Sequence, residues 1–238
     1  MNEMGTAMNI GRIENAMARS RIYALLATGF RYPDADCFTR LSDGTYLEVM
    51  TGALDICAAD SAVDLRAGLA AGLQAVSSRE ELESAYLSAF ETNLPDPSVS
   101  LYEGSHHLQG NKPGLLLELK GFYRTFGLSM AGSENDLEDA LSAEFEFMQF
   151  LTAKQVQAEE GALDKAPYLR AQLDFLKRHL AAWLPGLQAE AEGKLKHPFY
   201  RALTALANGF VVLDTKALER ELASFDAWRS TGSCGDQP

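Results

Sequence analysis

The chain has 238 residues, 47% hydrophobic and 23% charged, so it can bury a substantial apolar core, and its makeup excludes wholesale disorder. A formal charge of −12 with no basic run excludes the electrostatic footprint of a nucleic-acid binder; it can speed encounter with cationic partners, but taken alone it fits a charge that simply keeps the protein soluble. No apolar run reaches the roughly 18 residues that a membrane span needs and no secretory leader is visible at the start, so the expected location is the cytoplasm.

Ala and Leu dominate and apolar residues recur at helical spacing, which predicts an all-α, single-domain helical bundle of about ten helices covering residues 1–229, with a disordered tail over 230–238. Ile13, Ala16, Met17, Tyr23, Leu26, Ala27 and Phe30 trace one face of a first helix that Pro33 stops, giving an end near Tyr32. Further helices are predicted over 45–59, 62–75 and 79–90, the last capped by Ser77 or Ser78 ahead of Glu80 and Glu81. Residues 93–114 hold Pro95, Pro97, Gly104, Gly110 and Pro113, too many breakers for a helix interior, and read as a long connection of the kind that carries function.

A helix follows over 115–126 with Gly127 as its C-terminal cap, and the longest helix is predicted over 133–160, with Leu137, Leu141, Phe145, Met148 and Thr152 along its buried stripe. Residues 166–183 form the next, closed by Pro185, and shorter helices are predicted over 187–195, 198–208 and 215–228.

Nothing here predicts a catalytic residue or a cofactor. The three cysteines, Cys37, Cys57 and Cys234, form no CxxC pair, and the metalloprotease, nucleotide and dinucleotide motifs are absent. His179 sits beside Lys177 and Arg178 and reads as part of a solvated face, while His197 before Pro198 reads as a capping or packing residue. Glu103 stands three residues before His106, the spacing of helical di-iron ligands, but Gly104 interrupts the helix that such a site requires and no second Glu-x-x-His occurs.

Two segments carry more information. Around Pro97, Ser100 and Tyr102 the chain is extended and proline-stiffened, suited to lining a peptide groove and equally to connecting helices; Tyr102 reads as either an inward core residue or a groove residue. From Glu134 to Met148 the chain carries six acids and no base, of which Glu138 and Asp139 are accounted for by the macrodipole at a helix start. Glu144 lies on the border of the apolar stripe, where a carboxylate needs a partner, either an internal Arg or Lys or a cation from outside.

Tyr23 to Asp34, Glu83 to Phe90 leading into the segment from Pro97 to Gly104, and Asp139-Ala140-Leu141 with Glu144-Phe145-Glu146-Phe147-Met148 together resemble the TorD/DmsD/NarJ family of molybdoenzyme chaperones over roughly residues 20 to 215. The wording around Glu144 resembles the branch serving selenate, chlorate, dimethylsulfide and ethylbenzene oxidoreductases. The resemblance implies a TorD-like helical fold and a cytoplasmic, non-enzymatic chaperone. Its implied partner is the catalytic subunit of a molybdopterin oxidoreductase, whose twin-arginine leader it binds while the cofactor is inserted and export is delayed. The residues implied for client binding are Pro97, Ser100, Tyr102, Glu103, Glu138, Asp139 and Glu144. One position departs from the family pattern: Ala140 stands where many members have His.

The alternatives from other classes are a helical metal-dependent oxidoreductase using Glu103, His106 and Glu144, and a helical adaptor with another partner. A monomer and a helix-swapped dimer are both compatible with the sequence.

Overall fold

A computed structural model describes the chain over residues 3–91, 99–106, 111–129 and 137–232, with side chains placed from 10 to 227 within those spans. The ten α-helices among the described residues are α1 (Glu3–Gly29), α2 (Ala35–Ser42), α3 (Thr45–Ala58), α4 (Val63–Leu73), α5 (Arg79–Tyr86), α6 (Lys112–Thr125), α7 (Leu141–Glu160), α8 (Ala166–Arg178), α9 (Leu180–Lys194) and α10 (Pro198–Gly232). The expected all-α class holds, and the described residues contain no strand beyond an isolated bridge between Tyr102 and Ala140.

Local signals set several boundaries. Ser78 caps α5 by accepting from the Glu81 amide at 3.2 Å, one of the two capping residues expected there. Asp34 accepts from the Cys37 amide at 2.8 Å and so starts α2, a helix the periodicity did not predict although its N-cap residue was in view. Asn111 caps α6, and Pro113 lies in that helix's first turn, where a missing amide costs nothing, so the connection ends sooner than residue 114.

Tertiary packing sets the others. α10 runs unbroken through residues 209–214, where two helices were expected, and exceeds α7 in length. Its interruption-prone Gly209 packs against Leu65: a Cβ there would meet the Leu65 side chain at 2.6 Å, so Leu65 occupies the space that glycine leaves where α4 approaches α10. α9 carries Pro185 in its interior, and the break expected near Pro185 falls instead at His179, whose backbone leaves helical geometry. The backbone is helical to Gly232, so residues 230–232 of the expected tail are helix, and 233–238 lie outside the described residues.

α1 packs on α7 and α3, while α10 packs on α4, α8 and α9. Where they meet, Tyr23 crosses Phe210 edge-on at 5.2 Å, and Phe30 and Phe145 stack at 6.1 Å. Burying each ring contributes about 1.5–3 kcal/mol. In the same interior the Arg19 guanidinium on α1 reaches Asp214 on α10, Gln155 on α7 and Gln172 on α8, joining four helices through one buried cation. Burial and the neighbouring Asp214 carboxylate push the Tyr23 hydroxyl well above its ordinary value, so it stays a donor to Asp214.

Candidate functional site

The chain over 99–102 is extended, turns through a 3-10 helix at Glu103–Ser105, and is tied down on both sides. The Val99 amide donates to Ala89 O at 2.8 Å, in a π-helical turn (Leu87–Glu91) that continues α5. On the other side, the Glu103 amide donates to Asp139 O and the Leu141 amide to Leu101 O, each at 2.9 Å, flanking the antiparallel bridge between Tyr102 and Ala140. These bonds explain why α7 starts at Leu141 and not at Ser133: residues 139–141 give their backbone groups to the extended segment, while Ser133 itself lies outside the described residues.

Between this segment, the end of α1, α5 and the start of α7 lies a cavity of about 580 Å³. Phe30, Tyr86, Phe90, Leu101 and Leu141 supply an apolar floor, and Tyr102, Ala140, Ser142 and Ala143 form the wall. Charge enters at the rim through Glu91, Glu146 and Arg31, the last paired with Glu146 across the groove. Tyr32 joins this hollow to a second cavity of about 410 Å³ lined by Glu80 and Glu83 on α5. The arrangement offers a mainly polar hollow, with aromatic and aliphatic side chains only at its base and carboxylates along its edge, which suits an extended cationic peptide.

Beneath the wall is a buried polar cluster. Glu103, Asp139 and Glu144 are all fully buried. Glu103 lies 3.0 Å from His179 Nδ1, which donates to it, and Trp183 Nε1 donates to Glu144 Oε2 at 3.2 Å. Desolvation, reinforced by the adjacent Glu103, holds the Glu144 carboxyl well above the usual carboxylate range. Asp139 Oδ2 accepts from the Gly104 amide at 3.1 Å and lies 3.4 Å from Lys112 Nζ. A Cβ on residue 104 would fall 2.8 Å from that carboxylate oxygen, so only glycine admits this contact.

The sequence-derived residues therefore divide. Tyr102 lies on the groove wall, half-buried, with its ring under Lys112 Nζ at 5.7 Å, and Ser100 accepts the Tyr102 amide at 3.3 Å just outside the hollow. Glu103, Asp139 and Glu144, expected to meet a client directly, are turned inward, because their partners are the Gly104 amide, His179, Lys112 and Trp183 of the same chain. Glu138 pairs with Lys120 at 3.0 Å and its carbonyl accepts from Tyr123 Oη at 2.9 Å, outside the groove lining. Pro97 lies outside the described residues.

His179 is not on a solvated face: it is 1% exposed, with Glu103 on one nitrogen and Glu118 3.5 Å from the other. The Glu103–His106 pair considered as metal ligands is split, since His106 Nε2 donates to Ser100 O at 2.9 Å and its ring lies over Trp183. No group of three His, Cys, Asp or Glu side chains is arranged to hold a metal ion among the described residues. His197 accepts from the Phe199 amide at 3.3 Å, in line with a capping role. Arg31, Glu91 and Glu146 were missed as groove residues; the signal available was only that Glu146 falls two residues after Glu144 and so points away from it on the helix.

A family model described as "Nitrate reductase delta subunit" matches residues 57–189, which include the extended segment, the polar cluster and most of the groove. The chain belongs to that family. It is 47% identical over 224 residues, 94% of its length and 100% of the other's, to a perchlorate reductase assembly chaperone protein of Dechloromonas aromatica. A chlorate reductase assembly chaperone protein of Ideonella dechloratans is 32% identical over 76% of this chain and 80% of that one. The fold matches a crystal structure of a putative redox enzyme maturation protein from Archaeoglobus fulgidus at a TM-score of 0.51 and 19% identity, covering 81% of this chain and 93% of that one. Kinship of this kind makes the chain a maturation chaperone and not a catalyst. No helix among the described residues is long and apolar enough to cross a membrane.

Proposed function

We propose that this chaperone acts in the cytoplasm on the catalytic subunit of a molybdopterin oxidoreductase, holding its twin-arginine leader in the groove beside α7 while the apoenzyme remains open for cofactor insertion. The relatives' names supply the class of client: reductases of perchlorate and chlorate. The observation that carries the reading is the groove itself, mainly polar, floored by Phe30, Phe90, Leu101 and Leu141 and edged by Glu91 and Glu146. The adjacent guanidinium groups of such a leader are complementary to the rim carboxylates, and the apolar stretch after them meets the aromatic floor. The net charge of −12 adds long-range attraction for the same peptide.

Leader and groove meet by burial of apolar side chains, with the rim carboxylates setting orientation through charge-assisted hydrogen bonds. Titration calorimetry with a synthetic twin-arginine leader of a perchlorate-reductase-type catalytic subunit tests this. Saturable binding that weakens with salt is expected. Absence of saturable binding to both the leader and the apo catalytic subunit would remove the proposal.

A further inference from the structure

The groove wall rests on a feature that a peptide never touches. Leu101 and Tyr102 face the hollow, and the very next residue, Glu103, sends its side chain in the opposite direction, into the interior. There its carboxylate meets His179 on one side and Glu144 on the other. Two carboxyl groups thus share one solvent-excluded site, both fully buried.

Glu144 is incompletely satisfied unless it carries a proton. Glu144 Oε2 is satisfied by the Trp183 indole, whereas Oε1 finds no donor among the described residues. The neighbour of Glu144 that remains is the Glu103 carboxylate, itself an acceptor already engaged by His179. A proton on Glu144 directed at Glu103 converts a repulsive pair into a hydrogen bond and satisfies Glu144.

We infer that Glu144, donating its own carboxyl proton to Glu103, positions the Leu101–Tyr102 wall, so that capture of a leader peptide requires Glu144 to stay uncharged. This rests on the groove being the leader site. Glu144 is a positioning residue here, acting on the wall through Glu103. When Glu144 loses its proton, two carboxylates face each other away from water, and the weaker of the two attachments yields. Glu144 is held in a 20-residue helix, whereas Glu103 belongs to a short 3-10 turn (Glu103–Ser105), so the wall is the part that moves.

The direction with pH follows. Glu144 holds its proton more tightly in the folded chain than in the unfolded one, so the wall is firm at low pH and loosens as pH climbs above the ordinary carboxylate range. His179 faces Glu103 from the α8–α9 junction, Asp139 faces Glu144 from the residues before α7, and Tyr123 faces it from α6. Each of these remains in a Glu144→Gln variant, whose neutral amide reproduces the donor and the acceptor of the protonated acid.

The experiment compares the full chain and Glu144→Gln from mildly acidic to mildly alkaline pH by two readouts: hydrogen exchange over residues 99–106, corrected for the intrinsic pH dependence, and calorimetric affinity for a twin-arginine leader peptide. Expected is a loss of protection in the unsubstituted chain as pH rises, with affinity falling about tenfold, while Glu144→Gln stays flat in both. Protection that does not change with pH, or that changes in parallel in both proteins, overturns the inference whatever the peptide does. Should Glu144→Gln fail to fold, Glu103→Gln removes the same carboxylate pair, and a pH profile identical to the unsubstituted chain overturns the inference equally. Protection that follows pH while no peptide binds at any pH upholds the positioning of the wall and removes the leader reading instead.

Discussion

The Arg19 guanidinium meets the Asp214 carboxylate with two prongs, at 2.5 and 2.9 Å, and neither residue is more than 3% exposed. The two residues lie 195 positions apart, and their contact closes α1 onto α10. With Tyr23, Gln155 and Gln172 filling the remaining donor and acceptor positions, the charges are fully compensated in the interior.

Removing one member strands the other. Arg19→Met is expected to cost about 3–5 kcal/mol, because Asp214 is left as an uncompensated buried charge, and a chain of this length then melts roughly 10 °C lower. The double variant Arg19→Met with Asp214→Leu is expected to recover part of that loss in a thermal melt. A single variant that melts with the unsubstituted chain would contradict the role assigned to the pair.

The rim pair behaves differently. Arg31 and Glu146 have side chains 59% and 42% exposed, so their ion pair contributes at most about 1 kcal/mol to folding. Arg31 occupies a carboxylate that a leader guanidinium would use. Glu146→Gln is therefore expected to weaken leader binding and flatten its salt dependence, whereas Arg31→Gln is expected to strengthen it a few-fold. Calorimetry at two salt concentrations separates these outcomes, and both variants should melt within a few degrees of the unsubstituted chain.

Ser142 lines the groove from the first turn of α7 and is half-buried. An indole at this position fills the trough. Ser142→Trp is expected to abolish leader binding while leaving the circular dichroism melt nearly unchanged, since the new side chain occupies open space and not packed core. Leader affinity unaffected by this change would place the peptide elsewhere.

Burial pushes the Cys37 thiol up to about 11 and the Cys57 thiol up to about 12. At neutral pH the reactive thiolate of each is then populated at roughly one part in ten thousand or less. In a Cys234→Ser variant, a thiol-reactive dye is expected to label the native protein slowly and both cysteines promptly in denaturant. Rapid native labelling would show that one of them is more accessible than its packing implies.

How much of this was readable in advance varies by element. Most of the apolar stripes of α1 and α7 and the Ser78 cap were visible because periodicity and capping are local properties of the chain, although Met17 and Leu137, expected on those stripes, are exposed and Leu137 precedes α7. The continuity of α10 through Gly209 was not visible, since a glycine reads locally as a helix breaker, while in the fold α10 packs along α4, α8 and α9. Glu144 was recognised as a carboxylate in need of a partner; that the partner would be Trp183 and a second acid, and not a cation, was beyond reach.

By itself the sequence determined the helical class, the breaks around the extended segment and the family, because these depend on residue order over short windows. Tertiary structure alone decided which acids face inward and which line the groove. A stripe of residues reveals that a face will be covered, but not by what: His179 reads as surface beside Lys177 and Arg178 until Glu103, 76 residues away, is folded against it.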